Sequence, residues 1–284
     1  MVVSPDQTLE LYDDSRPNWS GPGPRPVRVH VWRPTRTDGR PPTVLVSHGS
    51  GGAAVQMAWL TEPLAAAGFL VVAFDHHGNN FVDGYLPEGF ARWWERALDV
   101  TFTLNQLAVH EEIGPAGAAG FSLGGYTAAA LIGARFDPEL VAALFAGALP
   151  VEPPPEYPEL AQELRAMLTA ADIAEWVAAS GGDYSDERLR AGFLVCPALG
   201  PLLDRGSLSE IERPVMVRWV DRDDIAVPAE NAQLYADLIP GADGRSSDRE
   251  AGHYVFLADN PEFPEVRERV ATDAVRFFRA QLRA

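Results

Sequence analysis

The residues best equipped for chemistry in this 284-residue chain stand in three short stretches. The first is Gly120-Phe121-Ser122-Leu123-Gly124, placed between an apolar run and the small-residue segment 126–133. A serine hydroxyl is a weak nucleophile and needs a sharp turn on which a base can reach its oxygen; flanking glycines let that backbone pass its neighbours closely. The second is His48-Gly49-Ser50-Gly51-Gly52, directly after the apolar stretch 43–47. Attack on a carbonyl builds negative charge on oxygen, which preorganised N–H groups must receive. The residue after the nucleophile, Leu123, supplies one such N–H, and the glycine turn supplies another, from Ser50 in the first place and Gly51 as the alternative. Each stretch alone could be no more than a glycine-rich turn.

The third is the base, which must be one of six histidines. His30 lies in an early strand pattern, and His110 falls at a helix end, where the dipole explains a basic residue. His48 precedes the glycine turn as a structural residue. His76 and His77 are loop or pocket-wall residues: adjacent histidines rarely ligate one ion, and no Cys or Glu-x-x-His partner stands near, so no metal site is expected. His253, in Gly252-His253-Tyr254-Val255-Phe256 near the C-terminus, follows every apolar strand pattern. An acid to orient it must come from the intervening chain, where Asp221, Asp223 and Asp224 follow the run 215–220. Asp221 leaves that run too early; Asp223 and Asp224 both remain open.

Those residues need a scaffold. Residues 1–27, rich in Pro, Gly and Asp, suggest an irregular lead-in, and the alternation over 27–32 a half-exposed strand at a sheet edge. Apolar, β-prone runs at 43–46, 69–74, 116–121, 191–195 and 215–220 suit parallel strands covered on both faces. Helical patterns lie between most of them. Trp93, Ala97, Val100, Leu104 and Leu107 form one apolar stripe, and 53–67 forms a second helix with Gly68 at its C-cap and a kink or late start imposed by Pro63. Such alternation implies a mainly parallel sheet with ligands at the carboxyl ends of its strands. Residues 136–187 interrupt it with prolines and short amphipathic helices carrying Leu164 and Trp176. They are expected to be a lid-like insertion or a packing insertion within a single domain over 1–284.

Bulk properties narrow the functions. A composition of 46% hydrophobic and 22% charged residues supports a sizeable core, and a net charge of −17 opposes nucleic-acid or anionic-membrane binding. The single Cys196 excludes an intramolecular disulfide and suits a buried structural thiol. Without a basic-then-apolar leader or a run of roughly 20 apolar residues, the chain reads as cytoplasmic.

Five stretches together resemble the predicted dienelactone hydrolase and platelet-activating-factor acetylhydrolase-like group of α/β-hydrolases. They are Val46 to Gly52, Phe74 to Asn79, Gly120 to Gly125, Pro228-Ala229-Glu230-Asn231-Ala232 and Gly252 to Leu257, with Asp14 to Asn18 and Phe277-Phe278 adding to the likeness. The resemblance spans nearly the whole chain and is weakest over 136–187. It implies an α/β-hydrolase fold, a small-molecule carboxylic-ester substrate, no cofactor, and a triad on Ser122, Asp223 and His253. Asp223 rather than Asp224 follows from the resemblance, which puts the acid five residues before Pro228. Dienelactone chemistry itself is not implied, because those enzymes use cysteine where Ser122 stands. Acyl transfer with the same triad is the alternative, and a non-catalytic binding module the more remote one.

Overall fold

The computed structural model describes residues 4–34, 39–110, 113–149 and 153–283. Its centre is an eight-stranded sheet made of β1 (Gln7–Pro17), β2 (Pro24–Trp32), β3 (Thr43–Ser47), β4 (Leu70–Asp75), β5 (Ala116–Phe121), β6 (Leu189–Val195), β7 (Val215–Val220) and β8 (Asp243–Asp248). The spatial order is β1-β2-β4-β3-β5-β6-β7-β8, with β1 and β2 antiparallel to their neighbours and all other pairs parallel. The helices are α1 (Ala58–Ala66), α2 (Pro87–Ala91), α3 (Glu95–His110), α4 (Leu123–Ala130), α5 (Pro138–Phe145), α6 (Leu160–Met167), α7 (Ala170–Ser180), α8 (Arg205–Ser209), α9 (Ala232–Leu238) and α10 (Pro264–Gln281). Among the described residues no helix is long and apolar enough to cross a membrane.

The connection β3-α1-β4 steps one way across the sheet, whereas β4-α3-β5 steps back past β3. Right-handed crossovers then put α1 and α3 on opposite faces and leave a crevice where the carboxyl ends of β3 and β5 lie side by side. Ser47 pairs with Gly120 there, so the glycine turn after β3 and the Ser122 turn after β5 start from adjacent positions.

Two expectations about the sheet are corrected. The lead-in is not irregular: Gln7–Pro17 is a strand, and it, not 27–32, forms the edge. Its Leu9 and Leu11 are only half buried and its other side chains are mostly polar, as an edge strand allows. At the opposite edge β8, Asp-Gly-Arg-Ser-Ser-Asp, has no apolar residue at all, so hydropathy could not reveal it. The 53–67 helix does start late, as a 3-10 turn over Ala54–Met57 before α1, which then carries Pro63 in its interior. Trp176 is buried against Phe145, joining α7 to α5 as core rather than as pocket wall.

Candidate active site

Strand β5 ends in a reversal that only particular residues permit. Ser122 adopts φ 55° and ψ −118°, a positive-φ conformation costly for a residue with a side chain. The turn is so tight that a Cβ on Gly120 would lie 2.0 Å from the Gly124 carbonyl oxygen, and one on Gly124 would lie 2.0 Å from that of Ser47. Helix α4 begins at Leu123, so its first N–H groups point back toward the serine.

His253 opens a 3-10 turn after β8, packed at 4.7 Å on the Phe121 ring. Its Nδ1 lies 2.7 Å from Asp223 Oδ2 and its Nε2 3.0 Å from Ser122 Oγ. Nδ1–H therefore donates to the carboxylate, and Nε2 accepts from the serine hydroxyl. Asp223 Oδ1 accepts from the Ile225 and Ala226 N–H groups at 3.1 and 2.7 Å, locking the carboxylate, while Asp221 and Asp224 are exposed. All three members of the line are buried. Behind it, the Cys196 sulfur lies within 4.8 Å of Asp223 and His253 ligand atoms. Burial first, then the Asp223 charge, push this thiol up, so it is a protonated donor rather than a thiolate.

The glycine turn separates its two donor candidates. Gly51 N–H donates to Asn79 Oδ1 at 2.8 Å, and Asn79 Nδ2 donates to the Gly89 carbonyl. Ser50 N–H and Leu123 N–H have no protein acceptor among the described residues. Glu156 lies over this turn. A Cβ on Gly51 would meet Glu156 Cβ and the Tyr85 hydroxyl at 2.9 Å, Tyr85 donates to the Gly51 carbonyl, and Tyr254 Oη reaches Glu156 Oε1 at 3.4 Å. Tyr157 packs edge-on against Phe90 at 5.1 Å.

Sequence reasoning missed a second buried line of the same residue types. Ser47 Oγ donates to His76 Nε2 at 3.1 Å, and His76 Nδ1 donates to Asp99 Oδ2 at 3.0 Å. It is nonetheless unsuited to nucleophilic chemistry. Asp99 is shared by Arg25 and Arg16, whose charges outweigh burial and hold its carboxyl well below the usual range. Burial and the Arg96 charge push His76 down to about 3, too weak a base to take a proton at neutral pH. Ser47 lies in the regular ladder of β3, not on a turn. Little in the sequence hinted at it: the partners that join Arg16, Arg25, His76 and Asp99 to one another are distant along the chain, and only the fold assembles them.

His48 is likewise buried and held well below its ordinary value, by burial and then by Arg96. A histidine neutral in the fold and protonatable when unfolded makes the unfolded chain bind more protons, so stability falls as pH drops from about 6.5. Unfolding free energy should therefore decrease between pH 6.5 and 5 by up to about 2 kcal/mol per such histidine. Urea unfolding of wild type and His76→Gln checks this: the variant should lose one proton's worth of slope, and an unchanged slope refutes the assignment.

Residues 40–184, half of the chain, match the family model described as serine aminopeptidase, S33. The chain belongs to this hydrolase family. Among solved structures the S33-family chain is similar to an alpha-beta serine hydrolase homologue from Coxiella burnetii, at 13% identity over 96% of this chain and 99% of that one, with a TM-score of 0.57. It is similar to a cold-adapted esterase from an Arctic intertidal metagenomic library, at 15% identity over 97% and 93% with a TM-score of 0.57. It is similar also to Est1E from Butyrivibrio proteoclasticus, at 12% identity over 96% and 98% with a TM-score of 0.57. At these identities the likeness establishes the α/β-hydrolase fold alone. No curated protein matches the chain.

Proposed function

We propose that the chain is a carboxylic-ester hydrolase working through an acyl-enzyme on Ser122. The observation that carries this reading is the hydrogen-bonded line Asp223-His253-Ser122 at 2.7 and 3.0 Å, ending on a serine held at positive φ. His253 takes the hydroxyl proton as Ser122 attacks the carbonyl and returns it to the leaving alcohol; water then repeats the sequence on the acyl-enzyme. Asp223 fixes the tautomer and stabilises the imidazolium. Ser50 and Leu123 supply the oxyanion N–H groups, a role for which engagement of Gly51 by Asn79 favours Ser50. Within the α/β-hydrolases we place the chain near the dienelactone hydrolase and platelet-activating-factor acetylhydrolase-like group, on the motifs around Ser122 and His253.

The chain is read as one domain in which 136–187 is an insertion that walls the pocket. Glu156 and Tyr157 support this, since Glu156 lies against the glycine turn and Tyr157 packs on Phe90 and on Tyr85, whose hydroxyl holds the Gly51 carbonyl, whereas Trp176 serves the core. Tyr157→Ala should change the ratio of kcat/KM for octanoyl over acetyl p-nitrophenyl esters by roughly tenfold, with the acetyl ester little affected. An unchanged ratio would leave the segment as packing only. The same ester panel, run with wild type and with Ser122→Ala, tests the hydrolase reading, and added alcohol separates hydrolysis from acyl transfer.

A further inference from the structure

Arg96, the second residue of α3, is buried behind the glycine turn. Its Nη2 donates to the His48 carbonyl at 2.6 Å. The neighbouring ring nitrogen does not share this bond. His48 Nε2 accepts from the His76 N–H, which leaves the proton on Nδ1, donated to the Gly49 carbonyl at 2.6 Å. The cation is thus spent on one main-chain carbonyl, the first of the turn that carries Gly49 and Ser50.

Its charge is only partly offset: Asp99 acts on it through space, without a salt bridge. Among the described residues, Arg16, Arg25 and Arg92 form salt bridges with Asp13, Glu95 and Asp99, and none of the salt bridges of these three carboxylates goes to Arg96. Among the described residues Arg96 Nε and Nη1 have no acceptor. Burial lowers Arg96 to about 9, which leaves it charged at neutral pH, and its field already helps hold His48 and His76 neutral. A buried cation without a carboxylate is costly. Such a cost is most readily offset where negative charge appears during a reaction.

We propose that Arg96 is a positioning residue for the Ser50 turn, holding the His48 carbonyl and setting a positive charge that no salt bridge neutralises behind the N–H groups that receive the oxyanion. This rests on the serine-hydrolase reading above. A fixed charge aimed at a developing oxyanion acts on the transition state and little on a neutral bound ester, so it raises kcat rather than lowering KM.

The test compares Arg96→Gln, which keeps a donor and removes the charge, with Arg96→Lys, which keeps the charge. Turnover of p-nitrophenyl acetate is measured per site titrated by an alkyl fluorophosphonate, so that poorly folded material is not counted as slow. R96Q should lose about tenfold or more in kcat, with KM within about threefold, and R96K should recover most of that loss. Equal losses in both variants, a wild-type kcat in R96Q, or no titratable sites in either would overturn the proposal. A wild-type chain that neither turns over ester nor takes the phosphonate would instead sink the hydrolase reading.

Discussion

Ser122→Ala should remove ester turnover, by roughly 10⁶-fold in kcat, while leaving thermal unfolding close to wild type. The hydroxyl makes one polar contact, to His253 Nε2, so its loss leaves no unsatisfied backbone group and only a very small void. Alanine should tolerate the turn about as well as serine, because the φ of 55° puts the same Cβ in the same place in both. On the proposed mechanism, what disappears is the nucleophile. The Ser50 and Leu123 N–H groups remain, so residual activity should be no more than the roughly 10³ to 10⁴ over water that an oxyanion hole and binding supply. Turnover near wild type in this variant would refute the role given to Ser122.

The second large effect belongs to the acid. Asp223→Asn should lower kcat on a short-chain ester by about 10⁴, whereas Asp221→Asn and Asp224→Asn should stay within a few-fold of wild type. The asymmetry follows from hydrogen-bond direction. Asp223 Oδ2 accepts from His253 Nδ1–H, and Oδ1 accepts two backbone N–H groups. With both backbone donors satisfied by the asparagine carbonyl, the amide NH₂ would face Nδ1 and favour the tautomer whose Nε2 carries the proton. That nitrogen could then no longer accept the serine proton. Asp221 and Asp224 are exposed and do not touch the imidazole. A crippled Asp224→Asn beside an active Asp223→Asn would overturn the assignment of the acid.

How far these residues could be read from sequence depended on whether their signal was local. Ser122, Leu123 and the glycine turn lie in short motifs whose backbone demands are written in neighbouring glycines, and β3 to β7 are apolar runs that hydropathy detects. The His253 assignment came by elimination and chain order, since its Asp223 and Ser122 partners are 30 and 131 residues away. Nothing local could place Asn79 on Gly51, Glu156 over the same turn, or Arg96 on the His48 carbonyl, because each pairing is made by tertiary packing. The edge strands β1 and β8 escaped for a related reason: they pair through the backbone on one side only, and need little apolar surface. His76 does lie in the loop after β4, but its burial and its partners, Ser47 and Asp99 from two other elements, left no local sign.

The central claim is that one serine, Ser122, carries the acyl group. The most direct measurement is mass spectrometry of the wild-type chain after reaction with an alkyl fluorophosphonate, followed by peptide mapping. A single adduct on Ser122, absent from Ser122→Ala and strongly slowed in His253→Ala, is the predicted result. An adduct on Ser47 of the second buried line, or ester turnover that survives without any modification of Ser122, would contradict the account.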